Sequence, residues 1–159
     1  MDNIELRRRI MGTRGETIDW KAIALELMNA SSASPYPVCI IPDGQTYIRP
    51  YAFRQCYFSS IQFPNSLKTI SQQAFEYLHG CSVIELGENV TTIGNWAFQS
   101  MYNVQKFIIH TVTPPSFGSG AINGSYPIYV PDASVNAYKT ASGWSNIASR
   151  IYPLSEMGG

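Results

Sequence analysis

The chain has 159 residues, and its 11 basic and 11 acidic side chains give a formal net charge of zero. A chain of this length most simply forms one domain with a continuous core. A hydrophobic content of 45% with only 14% charged residues is typical of a folded protein and excludes a disordered chain. Zero net charge leaves no strong field that would favour nucleic acid or an anionic membrane as the partner.

The first predicted elements are two helices within residues 1–30. Residues 4–11 can form a short helix, and Asp19 is a plausible N-cap for a second helix. The second helix is amphipathic, with apolar residues at helical spacing: Trp20, Ile23, Ala24, Leu27 and Met28. We predict that residues 1–30 are an N-terminal helical cap or an anchor that docks onto a partner. The Arg7–Arg9 run suits docking, and both alternatives stay open.

A repeat follows the linker at residues 29–37. Ile48-x-x-x-Ala52-Phe53 recurs twice, after steps of 22 (70 − 48) and 23 (93 − 70) residues. The later copies begin at Ile70 and Ile93, and Ala121-Ile122 is a degenerate last unit. Three Ala-Phe pairs in register, each four residues after an Ile, indicate a structural repeat.

Each repeat also contains a predicted strand and a turn. Apolar residues alternate at Ile61/Phe63, Ile84/Leu86 and Phe107/Ile109, and turn residues such as Pro64-Asn65 follow. A period of 20 to 29 residues with one strand per unit is the length class of leucine-rich repeats. We therefore predict an α+β repeat fold, a short leucine-rich-repeat solenoid of parallel strands across residues 38–127, with helical N- and C-terminal caps.

The C-terminal cap is predicted across residues 128–154. Residues 128–130 should form a strand, and Asp132 should cap a helix that carries Val135, Tyr138 and Ala141 inward. Gly143 is placed to end that helix, and Trp144 should close the end of the stack.

Two sequence motifs resemble those of a known family. Ile48-x-x-x-Ala-Phe-x-x-Cys56 with the later Ile61-x-Phe-Pro64, and the tail from Tyr129 to Trp144, are similar to the BspA-like bacterial leucine-rich-repeat family. The resemblance covers about residues 38–154. It implies a non-enzymatic surface or secreted binding protein, and similar repeats occur in phage-encoded proteins.

The titratable residues do not suggest catalysis. Cys39, Cys56 and Cys81 are predicted to occupy inward slots in different columns, which indicates no disulfide. The pairs His79/Cys81 and Cys56/His79 are weak candidates for a metal site and a nucleophile, because both cysteines should be packed inside. We therefore predict no enzyme activity, no metal and no cofactor, with a hydrolase as a distant third hypothesis for the function.

The N-terminus lacks the features of a signal peptide, because only Ile10-Met11 separates the arginine run from Gly12. No apolar run approaches the length of a membrane span. We expect a phage virion or a bacterial cell surface as the location, in preference to the cytoplasm.

The predicted working surface is the outward face of the strands, because side chains alternate with period two. The outward rows are Val38, Ser60, Val83 and Lys106, and Ile40, Gln62, Glu85 and Ile108. Four of these eight are Val or Ile, a patch that usually marks an interface. From these rows we predict the following binding residues: Val38, Ile40, Gln62, Val83, Glu85, Lys106 and Ile108. Further contact candidates are Tyr47, Tyr51, Tyr57, Tyr77 and Tyr102.

Our leading hypothesis is a binding and display module for protein or glycan recognition. The alternative is a structural assembly or decoration protein, anchored as a homo-oligomer or to a virion partner through residues 1–30.

Overall fold

The protein is described by a computed structural model that covers residues 36–158. The helices predicted within residues 1–30 lie outside the described residues. Within residues 36–158 ten strands follow one another: β1 Val38–Ile40, β2 Tyr47–Ile48, β3 Ser60–Gln62, β4 Thr69–Ile70, β5 Val83–Leu86, β6 Thr92–Ile93, β7 Lys106–Ile109, β8 Ser116–Phe117, β9 Ile128–Val130 and β10 Ile151–Pro153. One α-helix, α1 Val135–Thr140, and three short 3₁₀ helices at Asp132–Ser134, Trp144–Arg150 and Leu154–Glu156 complete the described elements.

All of these strands pair in parallel, between equivalent positions of successive repeats. One side is built from the pair β1-β3 and the sheet β5-β7-β9-β10, and the other from the sheet β2-β4-β6-β8. The register places Ile84 beside Phe107 and Ile48 beside Ile70. The predicted repeats and their parallel strands are thus confirmed. The second strand of each unit was not predicted, because two residues are too short for a visible alternation.

Inward side chains of successive repeats form continuous columns. The rings of Phe53 and Phe75 stack with centroids 5.0 Å apart, and those of Phe75 and Phe98 with centroids 5.2 Å apart. The backbone N–H of Phe75 donates to the carbonyl of Ala97 at 2.8 Å, while Ala74 and Ala97 are fully buried. Small and large residues alternate here because the coils approach too closely for a second bulky side chain.

The Ala-Phe segment also contains two left-handed backbone positions per repeat. One precedes the alanine, as at Gln73 with φ 53°, and the other lies three residues after it, as at Tyr77 with φ 55°. The other four are Tyr51, Gln55, Trp96 and Ser100. Residues other than glycine, asparagine and aspartate rarely adopt this conformation, which costs about 1–2 kcal/mol each. The ladder of hydrogen bonds between coils stabilises these turns, as where the N–H of Gln73 donates to the carbonyl of Asn95 at 2.9 Å.

The C-terminal segment packs against the last repeat through two buried aromatic residues. The Tyr138 hydroxyl donates to the carbonyl of Thr111 at 2.8 Å, and the Trp144 indole donates to the carbonyl of Pro115 at 2.8 Å. The two rings meet edge to face with centroids 4.9 Å apart. The strand at residues 128–130, the helix after it and the inward position of Tyr138 were predicted from the sequence. The predicted helix is α1.

The predicted N-cap of α1 at Asp132 is wrong. The helical segment begins with a 3₁₀ turn, and no side chain caps either Asp132–Ser134 or α1. The Asp132 carboxylate instead accepts the backbone N–H of Ser155 at 3.1 Å, and hydrogen bonds from the Ser155 side chain and backbone lower the pKa of this carboxyl. The backbone of the C-terminal tail, and not the start of the helical segment, is thus the partner of this carboxylate.

The outer strand face

Side chains alternate along the strands, so one side of each strand faces the core and the other faces outward. Cys39, Ile61, Ile84 and Phe107 point inward and are buried. The outward positions of β1, β3, β5, β7, β9 and β10 form what we call the outer strand face: Val38, Ile40, Ser60, Gln62, Val83, Glu85, Lys106, Ile108, Tyr129 and Tyr152. The seven binding residues predicted from the sequence all lie on this face.

The end of the face at β1 is apolar and exposed. Val38 and Ile40 each retain 42% of their surface in contact with solvent. Gln62, beside Ile40 on β3, is exposed as well. Further along, Glu85 is exposed, whereas Val83 and Lys106 are half-buried.

Ile108 departs from the prediction, because it is only 4% exposed. It lies on the outward side of β7, between Glu85 on β5 and Tyr129 on β9. It is also absent from the contiguous core cluster. Neighbouring strands with long side chains flank Ile108 on both sides, whereas within the described residues Ile40 has a paired strand on one side. The exposed apolar part of the face is therefore the pair Val38 and Ile40, and not the patch of four that was predicted.

The middle of the face is polar. The ring Nε2 of His110 lies 2.7 Å from Glu85 Oε1 and so links two successive repeats. Both side chains are partly exposed, which makes this pair a weak contributor to stability. The pair places the Glu85 carboxylate and the His110 imidazole where a ligand can reach them.

Sequence reasoning missed the two tyrosines that extend the face. Tyr129 lies beside Ile108 in the register, and Tyr152 lies beside Tyr129. The strand prediction at residues 128–130 contained the signal for Tyr129, since its neighbours Ile128 and Val130 point inward. The position of Tyr152 required the pairing of β10 with β9, which keeps the 23-residue step (152 − 129) but lacks the Ala-Phe motif between the two strands.

The tyrosines predicted as contact candidates lie elsewhere. Tyr47 on β2 and Tyr51 in the left-handed turn are exposed. Tyr57 and Tyr102 flank His79, with ring centroids 4.7 and 5.5 Å from the imidazole. Tyr77 is half-buried.

Tyr77 lies beside a charged pair. The guanidinium of Arg54 lies 5.9 Å from the centroid of the Tyr77 ring. Its Nε also donates to the buried carboxylate of Glu76 at 2.6 Å. These groups therefore link one coil to the next rather than extend the outer strand face.

The three cysteines are buried, as predicted. Burial raises the pKa of the Cys39 thiol, and raises that of Cys81 to about 12. The Cys81 thiol donates to the carbonyl of Phe58 at 3.3 Å. A nucleophilic thiolate is therefore disfavoured at Cys39 and Cys81. Within residues 36–158 no cluster of three or more His, Cys, Asp or Glu could hold a metal ion, and no helix is long and apolar enough to cross a membrane.

Comparison with known proteins identifies the repeats. None of the curated proteins that were compared matches the chain. The family model for the BspA type leucine rich repeat region matches residues 34–129, in six copies. This match spans more than half of the 159 residues and contains the strands from β1 to β8. Leucine-rich repeats of this type are protein-binding modules, and the chain belongs to the BspA-type leucine-rich-repeat family.

Proposed function

We propose that the chain is a non-enzymatic recognition module, displayed on a phage virion or a bacterial surface, which binds a protein or a glycan with its outer strand face. The observation that carries the proposal is the exposed apolar pair Val38 and Ile40, next to the polar Gln62. Recognition surfaces combine an apolar centre with a polar rim, and this end of the face has that composition. The resemblance to surface and phage-encoded repeat proteins supports display on a virion or a bacterial surface.

The architecture fits this role. We infer that the repeats at residues 38–127 stack as a short solenoid, that residues 128–154 form its C-terminal cap, and that residues 1–30 form an N-terminal cap or anchor. Stacked coils hold the strands in fixed register, so outward side chains on successive repeats form a rigid array. A rigid array loses little conformational entropy on binding.

The test uses the full chain, labelled at its N-terminus and incubated with a panel of intact bacterial cells. We expect saturable binding that unlabelled chain competes away. The double variant Val38→Asp with Ile40→Asp should lose that binding and keep its melting temperature, because both side chains are exposed. The control is Val112→Asp, which changes a residue 68% exposed outside the outer strand face. Unchanged binding by the double variant, or no saturable binding to any cell, contradicts the proposal.

An assembly or decoration protein is the second candidate, and one observation favours it. Within residues 36–158, β1 is paired only with β3, which leaves one edge of β1 free. An edge strand with exposed Val38 and Ile40 is suited to pairing with another chain. Light scattering separates the two candidates. A stable oligomer that Ile40→Asp dissociates supports assembly, and a monomer that still binds cells supports recognition.

A further inference from the structure

At the other end of the outer strand face, β9 and β10 form one wall of an open cleft. The cleft has a volume of about 360 Å³, within the range of about 300–1,000 Å³ typical of ligand sites. Six residues from three stretches of the chain line it: Ser125, Pro127, Tyr129, Arg150, Tyr152 and Glu156.

Two aromatic rings face the cleft. Tyr129 and Tyr152 are paired positions of β9 and β10, and their inward neighbours Ile128 and Ile151 are fully buried. The ring centroids are 6.1 Å apart and the ring planes are inclined by 43°. The rings therefore do not cover each other face to face. Tyr152 remains 40% exposed, which leaves aromatic surface for a ligand.

The cation of the cleft, Arg150, is held in place by the backbone. The Arg150 guanidinium donates to the carbonyls of Ile122 at 3.2 Å and Tyr126 at 3.3 Å. It also lies 5.8 Å from the centroid of the Tyr126 ring. A guanidinium carries five N–H donors, so two such bonds leave donors for a ligand. Partial burial lowers the pKa of Arg150 from its ordinary value.

The charges that line the cleft sum to zero, since Arg150 is its cation and Glu156 its anion. A ligand anion would meet the Glu156 carboxylate, and a ligand cation would meet Arg150. Hydroxyl groups both donate and accept, so they can use the guanidinium, the carboxylate and the Ser125 hydroxyl together. A pyranose ring adds an apolar face that can pack on tyrosine, the residue that offers both an apolar body and a polar tip.

From this geometry we infer that the cleft walled by β9 and β10 is a subsite for a neutral saccharide residue. Tyr152 and Tyr129 pack against the sugar ring, and Arg150, Glu156 and Ser125 bond its hydroxyls. The inference rests on the proposed recognition role and names one ligand class for it. The site lies on the outer strand face but is distinct from the apolar pair at β1.

The experiment is saturation-transfer NMR and calorimetry on the full chain with methyl glycosides of neutral hexoses and N-acetylhexosamines, up to several millimolar. Methyl glucuronide serves as the acidic counterpart of methyl glucoside. We expect at least one neutral glycoside to bind. Methyl glucuronide should bind more weakly than methyl glucoside, and Glu156→Gln should narrow that difference.

Three variants locate the site. Tyr152→Ala should weaken binding about tenfold, the change that about 1.4 kcal/mol produces. Tyr152→Phe should retain most of the affinity, because the ring remains. Tyr47→Ala, the matched control on the other sheet with 48% exposure, should bind like the wild type.

Three results would overturn the inference: no neutral glycoside binds, methyl glucuronide binds more tightly than methyl glucoside, or Tyr152→Ala binds like the wild type. The cell-binding assay distinguishes this failure from failure of the proposed function. If cells still bind through Val38 and Ile40 while glycosides do not bind, only the saccharide subsite is wrong. If neither cells nor glycosides bind, both are wrong.

Discussion

The inner columns and the outer strand face are built from the same repeats but respond to different constraints. Inside, Phe53, Phe75 and Phe98 occupy one position in successive coils and stack with nearly parallel rings. Outside, the equivalent positions Ile40 and Gln62, or Glu85 and Ile108, differ from one coil to the next. Close packing between coils keeps this column to phenylalanine and the other inward positions apolar, whereas a solvated face tolerates both polar and apolar residues. The columns therefore account for stability, and the outer strand face, which tolerates variation, is where we propose that recognition takes place.

The largest expected effect is in the columns. Phe75→Ala removes the middle ring of the stack, and the free energy of unfolding should fall by roughly 3–5 kcal/mol. Denaturant titration of the full chain measures this loss. Tyr47→Ala, at an exposed aromatic residue on β2, should change the stability by less than about 0.5 kcal/mol. Equal effects of the two variants would contradict the assignment of stability to the columns.

Two isoleucines in one outward row, Ile108 and Ile40, differ in how far they are buried. Ile108→Asp places an unpaired carboxylate at a position that is only 4% exposed, and it should cost roughly 3–5 kcal/mol. Ile40→Asp, at 42% exposure, should cost less than about 0.5 kcal/mol. Thermal and denaturant melts of the two variants measure the difference. Similar losses would mean that the burial of Ile108 is not maintained in solution.

Alkaline pH tests the burial of the thiols. The pKa of Cys81 rises from 9.0 in the unfolded chain to about 12 in the folded protein, so its contribution to stability is complete below pH 9 and is lost as pH rises toward 12. Each pH unit in this window should remove up to about 1.4 kcal/mol per buried thiol. Cys81→Ala should show a shallower decline than the wild type from pH 9 upward. Identical slopes in denaturant titrations at several pH values would show that Cys81 titrates normally.

The smallest expected effect concerns the left-handed turns. At Gln55, with φ 59°, Gln55→Gly should be more stable than Gln55→Ala by about 1 kcal/mol, because glycine avoids the steric cost of this conformation. In a helix the order of stability is reversed, because there a glycine variant is less stable than an alanine variant. Chemical denaturation of the two variants decides the sign, and greater stability of the alanine variant would exclude a left-handed backbone at this position.

The sequence predicted those parts of the fold that repeat. The Ala-Phe pairs identified the columns because Ala74 and Phe75 have equivalents one coil away in both directions. The strand alternation placed seven binding candidates on one face, but it did not predict that Ile108 is covered, since burial there depends on side chains from adjacent strands. Tyr152 was missed although it follows Tyr129 by 23 residues (152 − 129), because the Ala-Phe motif that marks the repeats is absent between β9 and β10. The left-handed turns were missed because Tyr51 and Gln55 are not residue types that indicate such a backbone.

Oxidative footprinting of the tyrosines tests the central claim, that recognition takes place on the outer strand face, most directly. The full chain is oxidised by hydroxyl radicals, free and bound to the cells that it recognises, and modification at each tyrosine is measured by mass spectrometry. Tyr152 lies on the outer strand face with 40% exposure, whereas Tyr47 and Tyr102 lie elsewhere with 48% and 68% exposure. The account predicts that binding protects Tyr152 and leaves Tyr47 and Tyr102 reactive. Protection of Tyr47 or Tyr102 with Tyr152 still reactive would contradict it.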